Sequence, residues 1–456
     1  MYIGFYLYLT LNVLILLYYY KKDHGAYEAP FMLAYISVFV VLPQLASIYS
    51  IDLYNTPTFP LFIYTIIGSN IAFVLGFELS NRNKKKQSFT IIEYPKIRGI
   101  LYIFTFLGFY SIFTWSSTYQ GSDNVIQAKL LSFGAQSLCL ISPFLIRGRI
   151  SKEKIIITIF CLAPIVYFAF FVKGSRGQTL FLIMTLSFIL YQRFPQIRNR
   201  LKKITVLILI LGAIGSASIG LIRYVLVGNP ATGEKSDIKE LSLYDTYRQS
   251  FSLQDTGFDL GNAVIGIEWL NNNNKYDLGI GYIWDNFIQN NVPRRWVGTQ
   301  TKEGFKLNIV DDSMMIERIT NSITTMTGYY YAYRSFGILS PLLFLLIGLG
   351  IGYIWYKAKF SMYYQFLYLT VLSQIPLLVT HGPGYVYGNI EFVLMFMYPF
   401  LFKAIRKVKL KCNMQKTDYD KYNNCMSNRC ETSVSYPPGI GAKRNVISAI
   451  YRHNRL

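Results

Sequence analysis

The chain has 456 residues, of which 52% are hydrophobic, 17% aromatic and only 15% charged, against about 25% charged in ordinary soluble domains. That balance excludes a typical water-soluble enzyme and places the chain among polytopic membrane proteins. A formal net charge of +21 would suggest nucleic acid in a soluble protein, but residues 223–325 hold ten Lys/Arg against thirteen Asp/Glu. The positive surplus therefore lies in the short loops and the tail, and no nucleic-acid partner is expected.

The first apolar run, 2–20, lacks a basic n-region and a small-residue cleavage site, so a retained helix is expected rather than a signal peptide. A bilayer-spanning helix needs about 17–25 mostly apolar residues. That rule predicts an all-α polytopic membrane protein with about 11 transmembrane helices and one large extracytoplasmic loop. The spans fall near 2–20, 31–50, 59–79, 97–115, 125–146, 155–172, 178–192, 203–222, 337–356, 361–380 and 389–405. Four regions result: an N-terminal transmembrane bundle of about eight helices (1–222), the large extracytoplasmic loop (223–325), about three C-terminal transmembrane helices (326–405) and a basic tail (406–456).

Orientation follows from the preference of Lys and Arg for short cytoplasmic loops. Alternate loops carry Lys21 and Lys22, then Arg82 to Arg98, Arg147 to Lys154, Arg193 to Lys203, and Lys357 with Lys359. The loops between them, at 51–58, 116–124 and 381–388, carry none. The expected topology has the N-terminus and the large loop outside and the tail in the cytoplasm. In that tail, Lys403, Arg406, Lys407, Lys409 and Lys411 suit anionic membrane lipids. The five cysteines, Cys139, Cys161, Cys412, Cys425 and Cys430, are too scattered for a disulfide framework or a zinc site.

Four places stand out chemically. Lys173-Gly174-Ser175-Arg176-Gly177 puts two cations on the outer side against the charge bias, and an arginine fork suits phosphate oxygens. Arg223 leaves the eighth span on that same side. In the loop, Pro293 limits the backbone freedom of Arg294 and Arg295, beside Trp296, whose ring suits a sugar face. His381-Gly382-Pro383-Gly384 lies in the last outer turn, with Glu391 at the head of the final span; an imidazole exchanges protons near neutral pH. Each has a plainer reading, as snorkelling cations, a solvated charge pair or a structural histidine. Asp311-Asp312 lacks a third ligand, so no metal site is expected. No P-loop, HExxH, nucleophile elbow or dinucleotide fingerprint is present, so no cofactor is expected.

The span pattern with its basic inner face, the 173–177 turn, the loop with Pro293-Arg294-Arg295, and the stretch from Gly328-Tyr329-Tyr330-Tyr331 to Phe336-Gly337 together resemble the Wzy-type O-antigen and capsule oligosaccharide repeat-unit polymerases. The resemblance covers residues 1–405 and is mainly architectural; the tail after Lys403 is longer than the family suggests. It implies a multi-pass protein of the bacterial plasma (inner) membrane, a glycosyltransferase of polysaccharide biosynthesis. Such enzymes join undecaprenyl-diphosphate-linked oligosaccharides on the outer face, beside flippase and chain-length regulator proteins. Lys173, Arg176, Arg223, Arg294 and Arg295 would bind the diphosphates, and His381 or Glu391 would take the acceptor proton. The alternatives are an O-antigen ligase or other lipid-phosphate-dependent glycosyltransferase, and a flippase or transporter for the lipid-linked unit.

Overall fold

The computed structural model describes residues 2–48, 57–81, 89–92, 94–113, 125–147, 150–167, 176–214, 259–273, 275–292, 294–310, 326–384 and 405–408. The chain divides into two units, Met1–Lys407 and Val408–Leu456, and the first is treated below. Its helices are α1 Tyr2–Lys21, α2 Ala29–Ile36, α3 Leu42–Ile48, α4 Thr58–Asn81, α5 Tyr94–Phe113, α6 Val125–Arg147, α7 Lys152–Tyr167, α8 Arg176–Arg193 and α9 Arg198–Ile214. Four shorter helices follow, α10 Asp259–Asn273, α11 Ile280–Asn291, α12 Arg294–Val297 and α13 Thr299–Gly304. The last group is α14 Gly328–Phe336, α15 Ser340–Ala358, α16 Met362–Leu372 and α17 Ile375–Thr380. Strands Phe89–Ile92 and Ile405–Val408 form a two-stranded sheet.

Six helices among the described residues are long and apolar enough to cross a membrane: Ile3–Lys21, Ala29–Ala46, Thr58–Asn81, Tyr94–Phe113, Gly328–Ala358 and Met362–Thr380. They coincide with expected spans one to four, nine and ten. Expected spans seven and eight form a pair, Thr179–Arg193 and Pro195–Gly212, bent by 109° at its break. Spans five and six correspond to α6, of which Phe133–Ile146 is the apolar part found, and to the 16-residue α7. The eleventh lies almost entirely outside the described residues.

The tightest pairing joins α4 to α15, and small residues permit it. Gly68, Ala72, Gly76 and Ser80 recur every fourth residue along α4, and Gly348 and Gly352 along α15. A Cβ on Gly76 would run into the Leu345 carbonyl oxygen, and one on Gly348 into that of Phe73. At Gly352 it would stand 2.5 Å from the Phe77 carbonyl oxygen. Contact advances in the same direction along both helices, so they run parallel at backbone distance, held by the packing that substitutes for hydrophobic drive inside a bilayer. The Ser80 hydroxyl adds a 2.7 Å hydrogen bond to the Leu349 carbonyl.

Polar side chains stitch the centre of this bundle. Asn70 of α4 donates to Asn12 Oδ1 and to Ser37 Oγ, both at 3.0 Å, and accepts from the Tyr329 hydroxyl at 2.8 Å. Tyr8 donates to the Ser37 carbonyl at 3.3 Å, where Ser37–Val41 forms a π-helical turn. All five residues are buried, and each interhelical bond is worth about 0.6 kcal/mol in a membrane.

The two ends of the bundle differ in chemistry. At the end carrying the basic loops, Lys202 donates to the Tyr20 and Lys22 carbonyls at 2.8 and 3.2 Å, and Lys359 to Asn81 Oδ1 at 3.2 Å. At the opposite end lie α10 to α13. Helix α10 buries Leu260, Ala263, Val264, Ile267 and Leu270 against α3, α4 and α14.

Candidate functional site

The site begins where α16 and α17 break. Ser373 and Gln374 separate them, Pro376 opens α17, and α17 stops after six residues at His381. The backbone N–H groups of His381 and Gly382 both donate to the Leu377 carbonyl, at 2.8 and 2.9 Å. His381 Nδ1 lies 2.6 Å from the Thr380 hydroxyl. Gly382 holds φ +118°, in the region that favours glycine. A Cβ there would stand 2.6 Å from the Tyr282 hydroxyl and 2.8 Å from the Tyr331 ring. The two rings stack at 4.5 Å. A Cβ on Gly384 would meet the Asn286 amide, and one on Gly328 the Leu378 carbonyl.

The turn 381–384 is thus closed in by α11, through Tyr282 and Asn286, and by α14, through Gly328 and Tyr331. Burial holds the His381 imidazole below its ordinary value by disfavouring the protonated ring, which favours the neutral form near pH 7 and at the same time weakens it as a base.

Among the other expected residues, Arg294 and Arg295 open α12, three residues beyond the end of α11. The chain therefore brings that pair to the neighbourhood of the helix that faces His381. Arg176 opens α8, which packs on α6, α7 and α9, whereas α17 packs on α2 and α14. Lys173, Arg223 and Glu391 lie outside the described residues. No family model, curated protein or solved structure matches this chain.

Beside the His381 turn is a buried ion pair that composition does not reveal. Arg334 Nε stands 3.0 Å from Asp277 Oδ2, at side-chain exposures of 4% and 0%. Arg334 Nη2 also donates to the Val310 carbonyl at 3.2 Å, and Asp277 Oδ1 accepts from the Gly279 N–H at 2.9 Å. Their backbones pair as well, Asp277 N–H donating to the Arg334 carbonyl at 3.1 Å. This clasp ties the segment before α11 to α14. Asn271 Oδ1 reinforces it by accepting from the Tyr276 and Tyr333 hydroxyls, at 3.0 and 2.9 Å. Lys302 of α13 is buried and donates to the Gln289 carbonyl at 3.0 Å.

A second charged cluster sits at the basic end. Lys22 Nζ lies 2.6 Å from Glu78 Oε1 and 3.9 Å from Glu28 Oε2, and the Tyr19 hydroxyl donates to Glu78 at 2.6 Å. Burial pushes the Glu28 carboxyl up and pulls Lys359 down. Burial opposes the charge on Lys22, but Glu78 and Glu28 more than offset it. The only sequence signal for this cluster is a Glu near each helix end, which a span count ignores. No group of three His, Cys, Asp or Glu that could hold a metal exists among the described residues.

Proposed function

We propose that the chain is a membrane glycosyltransferase, a polymerase joining undecaprenyl-diphosphate-linked oligosaccharide repeat units into O-antigen or capsular polysaccharide. In this reading it crosses the bacterial plasma membrane about 11 times, with the N-terminus and the segment 223–325 outside and the tail in the cytoplasm. The supporting observation is the seating of α11 over the His381 turn, at the end of the bundle opposite the lysine-rich one, with Arg294 and Arg295 following α11 in the chain. That arrangement offers a neutral imidazole, a stacked tyrosine pair and, close by in the chain, two guanidinium groups.

The chemistry asks for a hydroxyl of the acceptor sugar to attack the anomeric carbon of the donor while its bond to the diphosphate breaks. The arginines stabilise the departing diphosphate by fixed positive charge. His381 or Glu391 receives the hydroxyl proton. Aromatic rings such as Tyr282 and Trp296 hold sugar faces and keep water from competing. The donor diphosphate is the leaving group, so the reaction consumes no nucleotide.

The competing flippase reading draws on the Lys22, Glu28, Glu78 and Lys359 cluster. Its charges collect at one end of the spans rather than midway, where a translocation site is expected.

The test is polysaccharide display from a strain lacking this gene, complemented with the intact chain, Arg294→Ala or His381→Ala at equal membrane abundance. Single-repeat glycan in the deletion, with no ladder restored by the variants, is the expected result. Unattached long chains would instead indicate a ligase, and lipid-linked units trapped on the cytoplasmic side a flippase.

A further inference from the structure

The segment from Leu278 to Ile309 carries seven large apolar side chains exposed on its surface; Trp296 stands apart on α12, and the other six are Leu278, Ile283, Trp284, Phe305, Leu307 and Ile309. These six form one patch. The Trp284 indole donates to the Phe305 carbonyl at 2.7 Å, Ile309 packs on Gly281, and Gly279 abuts the Phe336 ring. From Phe336 the patch continues onto Ile338 and Leu339 in the turn before α15 and onto Leu342 and Leu346 of α15, all exposed, in a segment apolar and long enough to cross a membrane.

The depth of the patch can be read from α4. The Lys22–Glu78 and Lys359–Asn81 contacts mark the level of the basic interface. At about 1.5 Å per residue, a hydrocarbon core about 30 Å thick rises from there to roughly residue 60 of α4. Pro341 packs on Gly68, which is inside that slab, and Phe336–Leu339 immediately precede it. The residues packed on Phe336 therefore reach the acyl chains.

Charged groups of the segment are paired within it, which lowers their cost near lipid. The Asp285 carboxylate accepts from the Leu307 and Asn308 N–H groups at 2.6 and 3.1 Å, and Lys306 pairs with Glu303 at 2.9 Å.

We infer that the apolar face made by Leu278, Ile283, Trp284, Phe305, Leu307 and Ile309 is embedded in the bilayer leaflet at the end opposite the basic loops, with α11 lying in the interface, that face against acyl chains and the polar α13 with Gln300 on the aqueous side. The partner is the lipid itself. Tyr282 and Asn286 face the His381 turn while Ile283 and Trp284 face lipid, so α11 is a thin wall between that turn and the membrane.

The test uses the full-length chain in vesicles of phosphatidylethanolamine and phosphatidylglycerol, with Cys412, Cys425 and Cys430 changed to Ser. Leu278→Cys and Leu307→Cys carry a fluorophore; Leu346→Cys is the lipid reference and Gln300→Cys the polar one. Lipids brominated on the acyl chain, near its top for the first two and deeper for Leu346, should quench all three at least about twofold more than aqueous iodide does. Without any label, Trp284→Phe should remove part of the brominated-lipid quenching of tryptophan fluorescence. Iodide quenching at the level of Gln300, or protection from both quenchers, would overturn the inference, the latter by showing that protein covers the patch.

Discussion

Arg334 and Asp277 face each other where water is almost absent, and each holds the other in place. Removing one partner of such a pair leaves a buried charge uncompensated, at a cost of about 3–5 kcal/mol. Arg334→Ala should therefore lower the thermal midpoint of the detergent-solubilised chain sharply. The double variant Asp277→Asn/Arg334→Met should recover much of that loss, because the two changes act on one interaction; additive losses would show that the pair is not coupled. His381 gives a pH-dependent counterpart. Burial sets its folded pKa below the ordinary value of about 6.5, so the unfolded chain binds the proton more readily. Its contribution to stability is complete above about pH 6.5 and declines as pH falls below that value. Melting curves of His381→Gln should lose less stability on acidification than those of the intact chain, and identical slopes would exclude the effect.

At the scale of the helix, two glycines of α15 that look alike in sequence should respond oppositely. Gly348 touches the backbone of α4, whereas nothing lies within 4 Å of a Cβ on Gly350. Gly348→Ala should cost about 1–3 kcal/mol through overpacking; Gly350→Ala should be neutral or gain up to about 1 kcal/mol from helix propensity. Equal responses in thermal unfolding would contradict the parallel pairing of α4 and α15. The long apolar runs made most spans readable, because length and hydropathy alone suffice for a membrane helix. Helix α11 was not readable in the same way. Its sequence, with Asp285, Asn286 and Asn290 among aromatic residues, resembles a polar loop until its neighbours show that one face meets the 381–384 turn. His381 was legible from residue type and flanking glycines. The Arg334–Asp277 clasp and the Asn12–Asn70–Tyr329 network were not, because their partners are distant in sequence and no local period connects them.

For the whole molecule, the charge bias and the two unlike ends make one claim about direction. Gln300→Cys should react with a membrane-impermeant thiol reagent added to intact cells, and Lys152→Cys only after permeabilisation, in the background lacking the tail cysteines. The reverse pattern would invert the topology and remove the outer-face reading of the His381 turn. The close pairing of α4 with α15 also bears on biosynthesis. Ser80 and Leu349 are 269 residues apart, and at about 5–20 residues per second the ribosome takes roughly 15–50 s to deliver the second helix after the first. Through that interval the groove of small residues on α4 faces lipid or an insertion partner without its mate. The N-terminal helices are thus inserted as an unfinished half, and the later helices complete it.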